Sequence, residues 1–355
     1  MKSRILKKDE LGGLLLTLQK EYVVYAPMQD ATVPNKTVWA ELADGQLPLE
    51  HFVNTDMSPK GFLFPQSEVM MQFSTEHGTQ PPVYSQQEPS ERPQILWNIR
   101  PCDAKALAFM DTVFCQDDYT HDIYWAQKRD TTLLVGLACN APCPSCFCSA
   151  VHCGPHHTEG LDVLLTPLDG SYLVSPVTER GEALMQHLPE ASAEEESTAA
   201  TMKAKAEERV TQNLRGFSLE KVEQASLMEM YDLSYWNRVC ETCLNCGTCT
   251  FVCPTCHCFD IQDETCAFQN EEGRRVRNWD YCMAPLFTLH TSGHNPREKR
   301  MSRVRQRFMH KLKYIPMRQD GTIGCVGCGR CVRLCPVNID IRDVAANMNA
   351  GGEHV

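Results

Sequence analysis

The sequence predicts an α+β chain in which a mixed α/β N-terminal domain precedes a C-terminal α-helical two-cluster ferredoxin domain. Three observations carry that prediction. Strand-length apolar runs alternate with helical periodicity through the first half, a polar stretch rich in Ala and Glu interrupts the chain after residue 180, and one cysteine pattern occurs twice near the end. With 355 residues and 43% hydrophobic composition, the chain has material for more than one core.

In chain order, an amphipathic helix is expected near Glu10 to Lys20 and a strand at Tyr22 to Tyr25, followed by a loop-rich stretch full of Pro and Gln. Residues Gln94 to Ile99 read as a buried strand, which Arg100-Pro101-Cys102-Asp103 breaks. A helix over Ala104 to Phe114 follows, with Asp103 as its N-cap. A second buried strand, Thr131 to Leu137, also runs into cysteines. If the two strands are parallel neighbours, their carboxyl ends share one edge of the sheet, where open α/β sheets place their sites.

Leu161 to Leu168 and Ser171 to Val177 flank Asp169-Gly170, the signature of a hairpin with a type I′ turn. These elements divide the chain into a first domain over 1–180, a polar helical connector over 181–220 and the ferredoxin domain over 221–355.

The formal net charge of −11 argues against a nucleic-acid partner. A basic run from Arg297 to Lys313 stands against that balance. It reads first as a solvated helix face, with a docking surface or a set of cations facing anionic clusters as the other readings. No stretch approaches 18 uninterrupted apolar residues, so no integral membrane segment is expected. The opening MKSRILKKDE lacks a secretory apolar core, so a reducing cytoplasm is expected.

The 20 cysteines are the anomaly, and most sit in tight runs. Cysteines so close rarely form good disulfides with each other, whereas thiolate metal sites need several sulfurs from a short loop. Cys243-x-x-Cys246-Gly247-x-Cys249-x-x-x-Cys253-Pro254 recurs 82 residues later as Cys325-x-x-Cys328-Gly329-x-Cys331-x-x-x-Cys335-Pro336. Three cysteines at this spacing wrap one corner of a cubane, and the fourth, before a helix-breaking Pro, binds the neighbouring cluster. Cys243, Cys246, Cys249 and Cys335 are therefore expected to hold one [4Fe-4S] cluster, and Cys325, Cys328, Cys331 and Cys253 a second.

Cys240 offers a register one step earlier, which lacks the match to the second copy. Zinc binding and dithiol chemistry are disfavoured by duplication of the whole pattern. Cys253-Pro254-Thr255-Cys256-His257 matches the c-type haem attachment signal, but Cys253 is already committed. The 71 residues between Cys253 and Cys325 contain helix-like basic sequence and are too many for a compact bacterial ferredoxin. If the two first-domain strands are parallel neighbours, Cys102 would face Cys139, Cys143, Cys146 and Cys148, five sulfurs for the four positions of an expected third [4Fe-4S] cluster. The spacing from Cys139 to Cys146 also mimics the radical S-adenosylmethionine signature, but the remaining chain has no room for the barrel such enzymes need.

The chain resembles the beta subunits of sulfhydrogenase-type [NiFe] hydrogenases and the corresponding iron-sulfur subunit of anaerobic sulfite reductase. The resemblance rests on Arg100-Pro101-Cys102-Asp103, Cys146-Phe147-Cys148, Gly160-Leu161-Asp162, Cys253 to Phe259, Asn278 to Cys282, Gly293 to Arg297 and Cys325 to Cys331. It implies an iron-sulfur electron-transfer subunit wiring a flavoprotein partner, which binds FAD and NAD(P)H, to a catalytic hydrogenase or reductase subunit or a further carrier. In the family pattern the N-terminal cysteines that recur resemble Cys102, Cys139, Cys146 and Cys148, whereas Cys143 and Cys153 look like additions; Cys143 stays an alternative ligand. Cys256, Cys258 and Cys282 lie in the resembling stretches without a spacing argument for ligation and read as pocket lining. The rival function is a thiol or heterodisulfide reductase using those three cysteines, and a zinc-binding scaffold is the binding-module alternative. The chain lacks a Gly-rich dinucleotide fingerprint, so FAD and NAD(P) are expected on the partner.

Overall fold

The computed structural model describes residues 1–74, 83–86, 92–117, 119–266 and 269–352. Its strands in chain order are Arg4–Lys7 (β1), Val23–Gln29 (β2), Thr37–Glu41 (β3), Ser67–Ser74 (β4), Val83–Gln86 (β5), Gln94–Ile99 (β6), Thr132–Leu137 (β7), Val163–Pro167 (β8), Ser171–Pro176 (β9), Phe259–Cys266 (β10) and Gln269–Trp279 (β11). Seven of them form one sheet in the order β1-β9-β8-β7-β6-β2-β3. Its centre, β2, β6, β7 and β8, is parallel, and the outer strands are antiparallel.

Central parallel strands must be covered on both faces, which is why β6 and β7 read as unbroken apolar runs. Ile95, Trp97, Leu133 and Val135 point to a core shared with Leu11, Leu14, Leu15 and Leu18 of the helix Leu11–Leu18. Leu96 and Leu134 point to the opposite core, filled by Ala104, Leu107, Met110 and Phe114 of the helix Pro101–Phe114. That helix starts earlier than expected. Pro101 occupies its first turn with no amide to leave unpaired, Arg100 is the N-cap, and Asp103 lies inside the first turn with its carboxylate committed elsewhere.

The β8–β9 hairpin forms as expected, but only Gly170 of its turn has a positive φ, +72°, so the turn is not type I′. The helix Ala193–Gln212 begins in a Ser192–Glu195 capping box. It packs Ala199 against Ile5, Leu168 and Leu173 of the sheet, so it is docked rather than a free polar spacer.

The C-terminal part is built around Trp236, Phe308, Met309, Leu312, Val344 and Ala345. Only the second half of the stretch between the cysteine runs is helical, over Arg300–Met309, a π-helical turn at His310–Tyr314, and Ile315–Arg318. The first half is the β10–β11 hairpin, which joins β4 and β5 in a second sheet of order β10-β11-β4-β5. Arg277 anchors it. Its guanidinium, 1% exposed, donates to Glu68 Oε2 at 2.5 Å and to Asp122, while Trp279 Nε1 donates to Phe64 O at 3.0 Å. The hairpin thereby ties the C-terminal part to the N-terminal one.

Candidate metal centres

Within the C-terminal part, each short helix after a cysteine run is opened by a glycine in the left-handed region. Gly247 precedes Thr248–Phe251, and Gly329 precedes Arg330–Arg333. The two helices lie against each other. Each ends near a Cys-Pro pair, so the last cysteine of one run reaches the loop of the other. Cys243, Cys246 and Cys249 line one cavity together with Cys335, and Cys331 borders it. Cys325, Cys328 and Cys331 line a second cavity together with Cys253. Both expected quartets are thus brought together, each with its fourth cysteine from the opposite run.

The donor set fits [4Fe-4S] cubanes in more than sulfur count. Asn245 N lies 3.4 Å from Cys243 Sγ, Gly327 N 3.4 Å from Cys325 Sγ and Ile339 N 3.3 Å from Cys335 Sγ. Amides donating to sulfur stabilise its negative charge and tune a cluster's potential. Among the described residues no three His, Cys, Asp or Glu side chains converge tightly on one point. A cubane presents each thiolate to a separate iron, so it spreads its ligands more widely than a single ion does.

The basic run does not form a solvated face. Lys299 and Arg300 are exposed, but Arg303, Arg305, Arg307, Lys311 and Lys313 are buried. Burial opposes the charge of Arg307, yet the neighbouring cysteines Cys256, Cys249, Cys253 and Cys331 outweigh it and hold the guanidinium pKa well above its ordinary value. Burial likewise opposes Lys311, and Cys253 and Cys256 raise its pKa. Arg307 donates to Cys249 O at 2.7 Å, and Lys311 to Thr255 Oγ1 and Gly324 O, each at 2.7 Å. Arg307 and Lys311 therefore face the cavities, whereas Arg303 donates to Arg297 O, Arg305 to Tyr231 O and Lys313 to Val222 O. The four-residue spacing of Arg307 and Lys311 was the available sequence signal; Lys60, buried beside the same thiols, carried none.

In the N-terminal part, β6 and β7 are parallel and both end toward the cysteines. Asn98, at φ +60°, forms a bulge that redirects β6 before Arg100. Arg100 then donates to Leu137 O at 3.3 Å and Ala138 O at 3.1 Å, clamping the two strand ends that carry Cys102 and Cys139. Burial raises the Cys102 pKa, with the charges of Asp103, Cys328 and Cys139 next to it. Burial raises the Cys148 thiol pKa, with Cys153 and Cys139 beside it. Cys143 and Cys146 are joined as a disulfide, their Cα atoms 5.4 Å apart. This differs from the expectation that closely spaced cysteines avoid pairing, because a two-residue spacer in a turn allows it. The fourth N-terminal position is thereby contested by two bonded thiols, and a cluster there requires both reduced.

This loop is pressed onto the second cysteine run. Phe147 N donates to Gly327 O at 2.9 Å. A Cβ on Gly327 would meet Cys148 N at 2.5 Å, and one on Gly329 would meet Ser145 O at 2.6 Å. Arg330, 0% exposed, lies between Cys328 and Cys331 in the chain. It forks onto Asp103 at 2.5 and 2.8 Å and donates to Thr55 O at 2.6 Å. Arg342 adds bonds to Pro144 O and Asn213 O, each at 2.8 Å.

Residues 242–339 match the family described as the 4Fe-4S dicluster domain. The C-terminal part is a 4Fe-4S dicluster domain. The chain is 29% identical over 253 residues to sulfhydrogenase 2 subunit beta of Pyrococcus furiosus, an alignment covering 69% of this chain and 71% of that protein. The dicluster domain and this relative together support the hydrogenase beta-subunit family that the motifs resemble, and with it [4Fe-4S] clusters on this chain. No solved structure matches the chain. Among the described residues no helix is long and apolar enough to cross a membrane.

Proposed function

We propose that this chain is an iron-sulfur relay that carries electrons between an FAD- and NAD(P)H-binding flavoprotein and the catalytic subunit of a hydrogenase- or sulfite-reductase-type complex. The observation that carries the reading is the crossed pair of cysteine-lined cavities, which share Cys331 and Arg307 at their border. One cubane is held by Cys243, Cys246, Cys249 and Cys335, and its neighbour by Cys325, Cys328, Cys331 and Cys253. A third is held by Cys102, Cys139, Cys148 and Cys146, with Cys143 as the alternative.

The clusters, when bound, supply one-electron redox chemistry, and the protein's residues do the rest. Cysteines fix positions, amides and buried cations bias the charge balance toward the reduced state, and apolar walls exclude water. The order along the relay follows from adjacency. Cys102 neighbours Cys328, the two dicluster cavities meet at Cys331, and Cys246 of the first run is exposed. The supporting relative is named as a hydrogenase subunit, which suggests a complex rather than a chain acting alone.

The test is anaerobic co-purification from the native host followed by addition of NAD(P)H. Cluster reduction seen by electron paramagnetic resonance only when a flavoprotein co-purifies supports the relay. An isolated chain that reduces a disulfide or sulfite by itself, with no partner, overturns it.

A further inference from the structure

Three cysteines outside the expected quartets come together behind the dicluster cavities. Cys256 and Cys258 lie in the turn between Cys253-Pro254 and β10, and Cys282 follows β11. The two ends of the hairpin are clipped by Asp280 N donating to Cys258 O at 3.0 Å. Cys258 and Cys282 lie close enough to shift each other's ionisation, and Cys256 lies close enough to interact with both Cys253 and Cys282. Cys282 is buried, as are Lys60, Arg307 and Lys311 around the group.

These cations lack ordinary counter-charges. Lys60 Nζ donates to Cys256 O at 2.8 Å and sits 4.1 Å from the centre of the Trp279 ring. Arg307 Nη1 lies 3.5 Å from Cys256 Sγ. Among the described residues, none of the three cations has a carboxylate within ion-pair distance. A buried, uncompensated ion is destabilising by several kcal/mol. The two dicluster cubanes answer part of that demand through Arg307 and Lys311, but Lys60 faces Cys256 and Cys258 as well as Cys253. Neutral thiols do not supply the missing negative charge. Three thiolates do, and thiolates this close repel one another unless metal joins them.

We infer that Cys256, Cys258 and Cys282 ligate a further iron-sulfur cluster, one that has three cysteine ligands and leaves an iron position to a non-cysteine ligand. Zinc on the same thiolates is the competing occupant, and the experiment below distinguishes the two. The inference rests on the relay reading only for the neighbouring clusters; its own ligands are distinct.

The experiment is iron, sulfide and zinc quantification with Mössbauer spectroscopy on the full chain, purified anaerobically, as wild type and as Cys258→Ser and Cys282→Ser. The expected wild-type iron exceeds the about twelve atoms that three quartets hold. Each variant is expected to lose about three to four irons while the signals of the two dicluster clusters persist. Wild-type iron fully accounted for by the quartets overturns the inference, and this arm needs no variant to fold. So does stoichiometric zinc that disappears in either variant, or full iron retained in both. Loss of the dicluster signals in the wild type would instead refute the relay reading.

Discussion

Removing the carboxylate of Asp103 should separate the two halves of the molecule energetically. Asp103 and Arg330 are 2% and 0% exposed, joined by two parallel bonds at 2.5 and 2.8 Å, and Arg330 uses its remaining donors on Thr55. Asp103→Asn preserves shape but leaves a guanidinium buried without its counter-ion, a loss of about 3–5 kcal/mol. Arg330→Met leaves the carboxylate beside Cys102 and Cys328, where anionic clusters make it still less favourable. Because the damage comes from the orphaned charge rather than from a missing attraction, Asp103→Leu combined with Arg330→Met should recover most of it. Anaerobic urea unfolding of Asp103→Leu, Arg330→Met and their combination, with parallel iron determination, measures this as a double-mutant cycle. Single variants losing under about 1 kcal/mol, or a double variant losing the sum of both, would refute the reasoning.

Three further outcomes are expected. Gly327→Ala places a methyl into the Cys148 backbone at a φ of +65°; it should destabilise the chain by about 1–3 kcal/mol and weaken magnetic coupling between the N-terminal cluster and its dicluster neighbour, read by electron paramagnetic resonance. Lys311→Met removes a buried cation beside Cys253 and Cys325. It should shift that cluster's potential negative by on the order of 60 mV, about 1.4 kcal/mol for a one-electron couple, and an unchanged redox titration would contradict it. Burial, helped by Lys203, lowers the His156 pKa from 6.5 to about 4. The neutral ring therefore contributes stability that is full above pH 6.5 and is lost as pH falls toward 4. Wild type should lose about 2 kcal/mol more than His156→Asn between pH 7.5 and 5, measured by anaerobic unfolding at each pH.

The sheet core was legible because β6 and β7 are buried on both faces, so Gln94–Ile99 and the strand ending at Leu137 stood out as continuous apolar runs. Duplicated spacing similarly marked the cysteines that line the two C-terminal cavities. What escaped was set by distant partners. Asp103 read as a cap because its true partner, Arg330, lies 227 residues away. The basic helix read as solvated because charge alone does not reveal an anionic core beside it. The β10–β11 hairpin was hidden because its strands carry charged pairs such as Asp263–Arg275 instead of apolar alternation. Lys60 sits in a short 3₁₀ turn, Pro59–Phe62, with no pattern to mark it.

The crossed ligation is tested most directly by iron counts in paired substitutions on the full chain. Cys335→Ser and Cys243→Ser should each remove about four irons. Their combination should remove no more than either alone, whereas Cys335→Ser with Cys325→Ser should remove about eight. The opposite pattern, in which Cys335 proves redundant with Cys325 and additive with Cys243, would contradict the account, as would a folded, anaerobically purified chain that holds no iron.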